Sequence, residues 1–185
     1  MQFFSHNQQQ IINTDLLRIY KNSRKNLESD IKIISIVCDY LFKSQGKRIR
    51  PMLMLIISKC FALKRKRLTD NLATIIELIH TATLLHDDVV DESKMRRSMQ
   101  SINSKFGNSI AVLVGDFIYS KSFQIMATLN SNNIVRILAN CTNKIAEGEV
   151  LQSFFANNID ITIDDYLVLI DSKTAQLFET SCHLA

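Results

Sequence analysis

Residues 84–92 have the sequence Leu-Leu-His-Asp-Asp-Val-Val-Asp-Glu, which places three aspartates at the end of a long apolar stretch. Residues four positions apart share one face of an α-helix, about 6 Å from each other, so Asp87 and Asp91 can point the same way with Asp88 beside them. Carboxylate oxygens suit hard cations, and magnesium is usually held by one or two carboxylates together with substrate phosphates. Because residues 75–85 are strongly apolar, we expect these acids to face a cavity rather than to form a solvated helix end.

The chain as a whole has the composition of an all-α domain with a sizeable core. It has 185 residues, 46% hydrophobic and 22% charged, and its one proline and four glycines are few turn-forming residues for this length. Apolar residues recur at helical spacing nearly throughout. The predicted helices cover residues 8–27, 31–44, 51–63, 70–91, 108–129, 133–155 and 162–185, with Thr69 or Asp70 capping the fourth, and residues 64–67 and 93–108 as connections.

Charge and cysteine content exclude several classes of protein. The net charge of +4 is mild, and the basic residues lack the continuous stripe that nucleic-acid binding requires. The four cysteines are widely separated, with neither a CxxC pair nor zinc-ligand spacing, as expected of reduced thiols in the cytoplasm. Residues 1–10 carry no apolar signal core, and the longest uninterrupted apolar run, residues 52–57, is too short to span a bilayer. We therefore expect a cytoplasmic protein with no transmembrane segment.

A histidine and two arginines accompany the aspartates. His80 lies two turns before Asp87 on the same helix face, about 10 Å away, so one ligand could contact both; a core histidine is the alternative. Arg96 and Arg97 follow the acids directly. Their planar guanidinium groups match the geometry of phosphate oxygens, although simple charge balance would also explain them.

Two further pairs give weaker signals of a site. Lys47 and Arg50 precede Pro51 at the start of a predicted helix, where backbone N–H groups can help to hold a phosphate. This segment lacks the glycines and the Ser/Thr of a P-loop. Lys173 and Thr174 lie two to three turns into the last predicted helix, where a lysine is usually a surface residue.

The order of these segments resembles that of the trans-polyprenyl diphosphate synthases, and most of all their bacterial octaprenyl members. The resemblance rests on residues 46–51, 79–91, 96–97, 115–116, 147–152 and 173–174, whose sequences are GKRIRP, IHTATLLHDDVVD, RR, GD, EGEVLQ and KT. It covers nearly the whole chain. It implies an isoprenoid synthase-type helical bundle around a central cavity, of which residues 1–185 form a single partial domain, truncated to roughly the first half.

The resemblance also implies a role for each candidate residue. Asp87 and Asp91 would coordinate magnesium (Mg²⁺) bound to an allylic, farnesyl-like diphosphate, with Asp88 in support. The other candidates form two groups: Arg96, Lys173 and Thr174 would contact the allylic diphosphate, and Lys47, Arg50, His80 and Arg97 the isopentenyl diphosphate. The implied reaction is the magnesium-dependent condensation of these two diphosphates, a prenyl transfer in which the three aspartates and Lys173 are catalytic.

The chain departs from the family pattern in two ways. Gln45 stands where the family usually has the first of two glycines, and the second aspartate-rich motif of the family is absent, so we expect an incomplete synthase. The alternative hypothesis is a non-catalytic remnant that binds diphosphate or acts as an interaction subunit. A metal phosphohydrolase built on His86 and Asp87 is disfavoured, because that class needs further histidines spaced as metal ligands.

The resemblance sets expectations for product and assembly as well. Ala82 and Thr83 occupy positions where, in this family, bulky aromatic residues stop the growth of the product. Both are small here, which implies a long product in the octaprenyl range. Pairing is expected through the helices around residues 108–155, either as a homodimer or with a complementary chain.

Overall fold

The predicted all-α architecture is confirmed by the structure, a computed structural model that describes residues 6–44, 46–61, 66–156 and 158–185. Its helices are α1 (His6–Asn26), α2 (Lys32–Lys43), α3 (Ile49–Cys60), α4 (Lys66–Val90), α5 (Ile102–Phe106), α6 (Asn108–Ala127), α7 (Asn132–Phe155), α8 (Ile163–Ile170) and α9 (Gln176–His183). A π-helical turn, Asp171–Ala175, joins α8 to α9, and an antiparallel hairpin, β1 (Met95–Arg96) and β2 (Met99–Gln100), follows α4.

Helix α4 forms the centre of the fold. Apolar residues occupy most of its faces, so it is buried on nearly all sides, and Ile75 and Ile79 have no exposed surface. Helix α6 lies along it, and α1, α3 and α9 pack against it as well. Gly115 of α6 permits the close approach of the two helices, because a Cβ atom there would collide with the imidazole of His86.

The start of α4 differs from the sequence prediction. The helix begins at Lys66, so Thr69 and Asp70 lie inside it and neither is its N-cap. Asp70 is buried, and its carboxylate accepts hydrogen bonds of 2.6 and 2.7 Å from Arg18 of α1, which compensate for its loss of water. Residues 66–67 of the predicted connection are therefore helical, whereas residues 62–65, with the predicted end of the third helix, lie outside the described residues.

The last predicted helix is confirmed over residues 163–183, with a π-helical turn in its middle. Thr162 and Asp165 form a capping box at the start of α8: Thr162 Oγ1 accepts from Asp165 N, and the Asp165 carboxylate accepts from Thr162 N, both at 3.1 Å. Eight residues later the hydrogen-bond pattern changes to that of the π-helical turn. Turns of this kind are rare in helices and are frequent at functional sites.

Helix α6 is long and apolar enough to cross a membrane when judged by length and composition alone. The search for an uninterrupted apolar run missed it, because polar residues are scattered along its length. In the fold α6 packs against α4 through buried residues such as Ala111, Val114 and Ile118. A core helix of a globular protein passes the same test, so the property is weak support for a membrane span.

Candidate functional site

Five of the ten predicted site residues line one of two clefts beside α4. The first, the acidic cleft, is a space of about 440 Å³ between α4, α6 and α7 that includes Asp87 and Glu149. The second, the cationic cleft, has a volume of about 380 Å³ and is lined by residues 46–50, His80 and Arg97 among others. Because α4 contributes to both clefts, one rigid helix sets the distance between them.

Lys173 lies between two carboxylates at the acidic cleft. Its Nζ is 2.7 Å from Glu149 Oε2 and 3.8 Å from Asp87 Oδ2. The pKa of Asp87 is raised to about 6, first by burial and then by the Glu149 carboxylate, against the lowering effect of Lys173. One lysine therefore faces more negative charge than it neutralises, which is the electrostatic condition for binding a further cation.

Asp91 continues the helical path of Asp87. Its backbone N–H donates a 2.7 Å hydrogen bond to the carbonyl oxygen of Asp87, one turn earlier, and its side chain is exposed. The charge of Asp91 also raises the pKa of Asp87. Within the described residues no three His, Cys, Asp or Glu side chains come together closely enough to hold a metal unaided. A two-aspartate oxygen donor set nevertheless fits magnesium, which takes its remaining ligands from water and phosphate.

Asp88 points away from the acidic cleft and is bound by Arg96. Arg96 Nε donates to both carboxylate oxygens, at 2.9 and 2.8 Å, and its Nη2 lies 2.7 Å from Asp88 Oδ1. Asn103 Nδ2 donates a 2.8 Å hydrogen bond to the backbone carbonyl of Asp88. The adjacent aspartates thus have different environments: Asp87 faces a cleft, whereas Asp88 anchors the hairpin and α5 to the end of α4.

Arg50 and His80 form the inner wall of the cationic cleft. Helix α3 begins at Ile49, so Arg50 is helical even though it precedes Pro51, and its Nη1 lies 3.1 Å from His80 Nε2. Arg48, just before the helix, has a φ of 48° in the left-handed region. Its guanidinium lies 4.3 Å from the centroid of the Tyr20 ring.

His80 is neutral in this environment. Burial and the nearby charges of Arg50, Arg97 and Arg96 lower its pKa to about 3. Since a guanidinium can only donate, Nε2 of the neutral ring must accept from Arg50, which places the ring proton on Nδ1. His80 combines features of both interpretations: it is partly buried, as a core histidine would be, and it also lines the cleft.

The remaining predicted residues surround these two centres. Arg97 Nη1 donates a 3.1 Å hydrogen bond to the carbonyl oxygen of Ser44, and its guanidinium packs so closely on Gly46 that a Cβ atom there would collide with it. Lys47 is exposed at the rim of the cationic cleft. Thr174 is exposed on the π-helical turn, one residue after Lys173.

Sequence reasoning missed three residues of these clefts. Glu149 belongs to the segment 147–152 of the family resemblance, but no role was predicted for it, and its carboxylate accepts a hydrogen bond from Lys173. Glu77 is surrounded by arginines in the cationic cleft; burial raises its pKa, while the positive charges of Arg48, Arg97 and Arg50 lower it. Phe178 lies under the guanidinium of Arg50. A helical wheel could have found Glu77, because residues three positions apart, such as Glu77 and His80, share one face of a helix.

Gly148 explains how Lys173 reaches the acidic cleft. A Cβ atom on Gly148 would lie 2.9 Å from the backbone nitrogen of Lys173 and 3.0 Å from Ser172 Cβ. The glycine therefore lets the π-helical turn pack directly on α7, beside Glu149. This close packing accounts for a glycine in mid-helix, despite its cost of about 1 kcal/mol relative to alanine.

The arrangement of the helices agrees with comparisons to known proteins. The sequence profile of the polyprenyl synthetase family matches residues 31–185. The chain belongs to the polyprenyl synthetase family. Two curated members are octaprenyl diphosphate synthases: that of Escherichia coli K12 is 46% identical over 157 residues, 85% of this chain and 48% of the relative, and that of Haemophilus influenzae is 42% identical over 173 residues, 94% and 52% respectively. The chain thus spans about half the length of the curated relatives it matches.

Solved structures of polyprenyl synthetases share the fold. A decaprenyl diphosphate synthase from Rhodobacter capsulatus superposes with a TM-score of 0.87 at 39% identity, over 94% of this chain and 53% of that one. A polyprenyl synthase from Caulobacter crescentus CB15, complexed with calcium and isoprenyl diphosphate, gives a TM-score of 0.90 at 34% identity, over 95% and 53%. The helical bundle is therefore that of an isoprenoid synthase.

Proposed function

We propose that this chain provides the diphosphate-binding half of a magnesium-dependent prenyltransferase that condenses isopentenyl diphosphate with an allylic, farnesyl-like diphosphate. The observation that carries the proposal is the pairing of an acidic and a cationic cleft along one helix, with Asp87 and His80 two turns apart. Family membership and the octaprenyl diphosphate synthases among the relatives support the reaction class.

In the acidic cleft, Asp87 and Asp91 would hold magnesium bound to the allylic diphosphate. Two observations favour a cation there: the raised pKa of Asp87 and the excess of carboxylate over Lys173. When bound, magnesium would stabilise the negative charge of the departing diphosphate. Lys173, whose ammonium lies 2.7 Å from Glu149 and 3.8 Å from Asp87, would contact the same leaving group, and Thr174 is the next residue.

In the cationic cleft, Arg50, Lys47 and Arg97 would bind the diphosphate of isopentenyl diphosphate. His80 is neutral and accepts from Arg50, so it directs the remaining N–H groups of that guanidinium without adding a charge of its own. Arginine is well suited to the task, because its planar fork pairs with two phosphate oxygens at once.

The proposed chemistry forms one carbon–carbon bond. The C1–O bond of the allylic diphosphate breaks, and the electrons leave with diphosphate. The double bond of isopentenyl diphosphate attacks C1, and loss of a proton from the adduct restores an alkene that is five carbons longer. Ala82 and Thr83, small residues one turn before Asp87, support a long, octaprenyl-like product.

Arg96 has a double task under this proposal. It binds Asp88 through Nε and Nη2, and a third of its side chain is exposed, so Nη1 would supply the contact with the allylic diphosphate. Asp88 would then act through Arg96 rather than as a magnesium ligand. The predicted catalytic role of Asp88 becomes one of orienting an arginine.

We further propose that the chain pairs through α6 and α7. Leu113, Val135 and Val150 on these helices are 62%, 41% and 72% exposed, respectively. Large apolar side chains at this level of exposure favour burial against a second copy or a complementary chain.

The decisive experiment is incubation of the purified chain with isopentenyl diphosphate, farnesyl diphosphate and magnesium, followed by product analysis. We expect diphosphate binding that is lost in Arg50→Ala and Asp87→Asn and retained in Arg136→Ala, an exposed arginine of α7. Since the chain spans half of its relatives, we expect little or no extended product without a complementary half. Extended products from the chain alone would overturn that expectation, and binding unaffected by Arg50→Ala and Asp87→Asn would overturn the proposed function. Binding without turnover, even with a complementary half, would favour the non-catalytic alternative.

A further inference from the structure

Arg50 is held in an unusual way for a buried arginine. Burial lowers its pKa, and the carboxylate of Glu77 opposes that effect. Within the described part of the chain, its Nε atom is buried without a hydrogen-bond partner. A buried N–H group without a partner is costly and leaves the side chain poorly fixed by hydrogen bonds.

One contact compensates for the missing hydrogen bond. The guanidinium carbon of Arg50 lies 4.3 Å from the centroid of the Phe178 ring. A guanidinium over an aromatic face is attracted by the negative potential of the ring, and more strongly where water is excluded. The hydrogen bond to His80 fixes one edge of the guanidinium, at 3.1 Å, and the ring fixes its plane.

Phe178 lies in the first turn of α9, directly after the π-helical turn that contains Lys173. Lys173 contacts Glu149 at the acidic cleft, while Phe178 lies beneath Arg50 at the cationic cleft. A single segment, seated on Gly148, therefore contributes to both clefts.

We propose that Phe178 is a positioning residue that orients the Arg50 guanidinium for a diphosphate in the cationic cleft. The inference rests on the proposed function of that cleft and goes beyond it, because Phe178 itself touches no substrate. It acts through Arg50: the ring occupies one face of the guanidinium, and the N–H groups away from His80 are directed towards the cleft.

The test measures binding of isopentenyl diphosphate by calorimetry for the wild type, Phe178→Leu, Phe178→Tyr and Arg50→Ala. We expect Phe178→Leu to weaken binding by about 3- to 30-fold, the range for one cation–π contact. Phe178→Tyr keeps the ring and should bind as the wild type does. Phe155→Leu, the same change at a partly buried phenylalanine of α7, is the matched control and should have no effect.

A second readout follows Arg50 directly and needs no ligand. The NMR order parameter of its Nε–Hε bond should be high in the wild type and in Phe178→Tyr and low in Phe178→Leu. A purely structural role of Phe178 would change the unfolding free energy without this selective loss of order at Arg50. If Phe178→Leu does not fold, it is replaced by Phe178→Met, whose flexible side chain adapts to irregular gaps and also lacks a ring.

The outcomes separate the two hypotheses. If the wild type binds, Arg50→Ala does not, and the ringless variant binds as the wild type does with Arg50 equally ordered, the role of Phe178 is overturned and the cleft assignment stands. If the wild type does not bind, or if Arg50→Ala binds equally well, the cleft assignment is overturned and the role of Phe178 with it. The inference is supported if the ringless variant binds more weakly and has a disordered Arg50, while Phe178→Tyr and Phe155→Leu behave as the wild type does.

Discussion

Arg96 encloses the carboxylate of Asp88: three contacts of 2.7 to 2.9 Å join one guanidinium to both carboxylate oxygens. Asp88 is buried and Asp87, its neighbour, faces a cleft, so two adjacent aspartates of one motif serve different purposes. The negative charge of Asp88 stabilises the fold through its pair with Arg96. The negative charge of Asp87 is unfavourable in the folded state, because burial and Glu149 raise the pKa of its carboxyl group.

Asp88→Asn should destabilise the protein. The change removes the charge from a buried pair and leaves Arg96 incompletely paired, at a cost of about 2 to 3 kcal/mol in unfolding free energy. This is less than the about 3 to 5 kcal/mol of fully buried pairs, because the Arg96 side chain is 33% exposed. Urea denaturation measures the effect.

The control for this prediction is Asp39→Asn. Asp39 pairs with Arg24 at 2.6 Å, but both side chains are 58% exposed, so the loss should stay below about 1 kcal/mol. Equal destabilisation by the two variants would contradict the assignment of Asp88 as a buried anchor.

Asp87→Asn should instead stabilise the protein at neutral pH. The pKa of Asp87 is raised to about 6 in the folded protein, mainly by burial, whereas the unfolded carboxyl titrates near its model value of 3.8. Between these values the folded state binds more protons than the unfolded state, so stability falls as pH rises. The variant lacks this loss and should gain about 1 to 3 kcal/mol at pH 7.

Thermal denaturation at several pH values tests this sign. The advantage of Asp87→Asn over the wild type should be largest above pH 6 and should vanish near pH 4. An advantage that grew as the pH was lowered would contradict the raised pKa. Diphosphate binding in magnesium should be lost in the same variant, so stability and binding change in opposite directions.

His80 should give the opposite dependence on pH. Its pKa is lowered to about 3 in the folded protein, mainly by burial, so between about pH 6.5 and 3 the unfolded state binds a proton that the folded state does not. Its contribution to stability is complete above pH 6.5 and is lost progressively below it, by up to about 1.4 kcal/mol per pH unit.

Comparison with His80→Gln isolates this contribution. The wild type should lose more stability than the variant between pH 7 and pH 5, and the difference is measured by urea denaturation at both values. An equal loss in both proteins would mean that His80 takes up its proton in the folded state as readily as in the unfolded chain.

Gly148→Ala should displace the π-helical turn. The added methyl group would overlap the backbone of Lys173, and overpacking of this kind costs about 1 to 3 kcal/mol. If Lys173 moves away from the acidic cleft, Asp87 loses the nearby positive charge and its pKa should rise further above 6. NMR titration of the Asp87 carboxyl carbon measures the change, with Ser153→Ala on the exposed side of α7 as the control.

Sequence reasoning succeeded where a local pattern carried the information. Helical periodicity predicted the buried helix α4, and the i, i+4 spacing of Asp87 and Asp91 placed both at its end. The predicted helix start at residue 162 agrees with the start of α8. Each depends on residues within a few positions, which is the range over which helix geometry is fixed.

It failed where distant residues decide the outcome. The sequence favours Asp70 as an N-cap, but Asp70 lies within α4. Its carboxylate accepts a hydrogen bond from Arg18, 52 positions away, instead of capping the helix. The contacts of Glu149 with Lys173 and of Phe178 with Arg50 join different helices, so they depend on the packing of the whole fold. Helical periodicity does not reveal the π-helical turn, and the glycine that it packs against, Gly148, lies on a different helix, α7.

Helix α4 carries residues of both clefts and is also the most deeply buried element of the fold. Its backbone amides from about residue 74 to residue 88 should exchange with solvent only when the whole protein unfolds. The two clefts should therefore be lost in one cooperative transition rather than melt in sequence. Any condition or substitution that lowers the global stability would then reduce the population of both binding sites together, however far it acts from either.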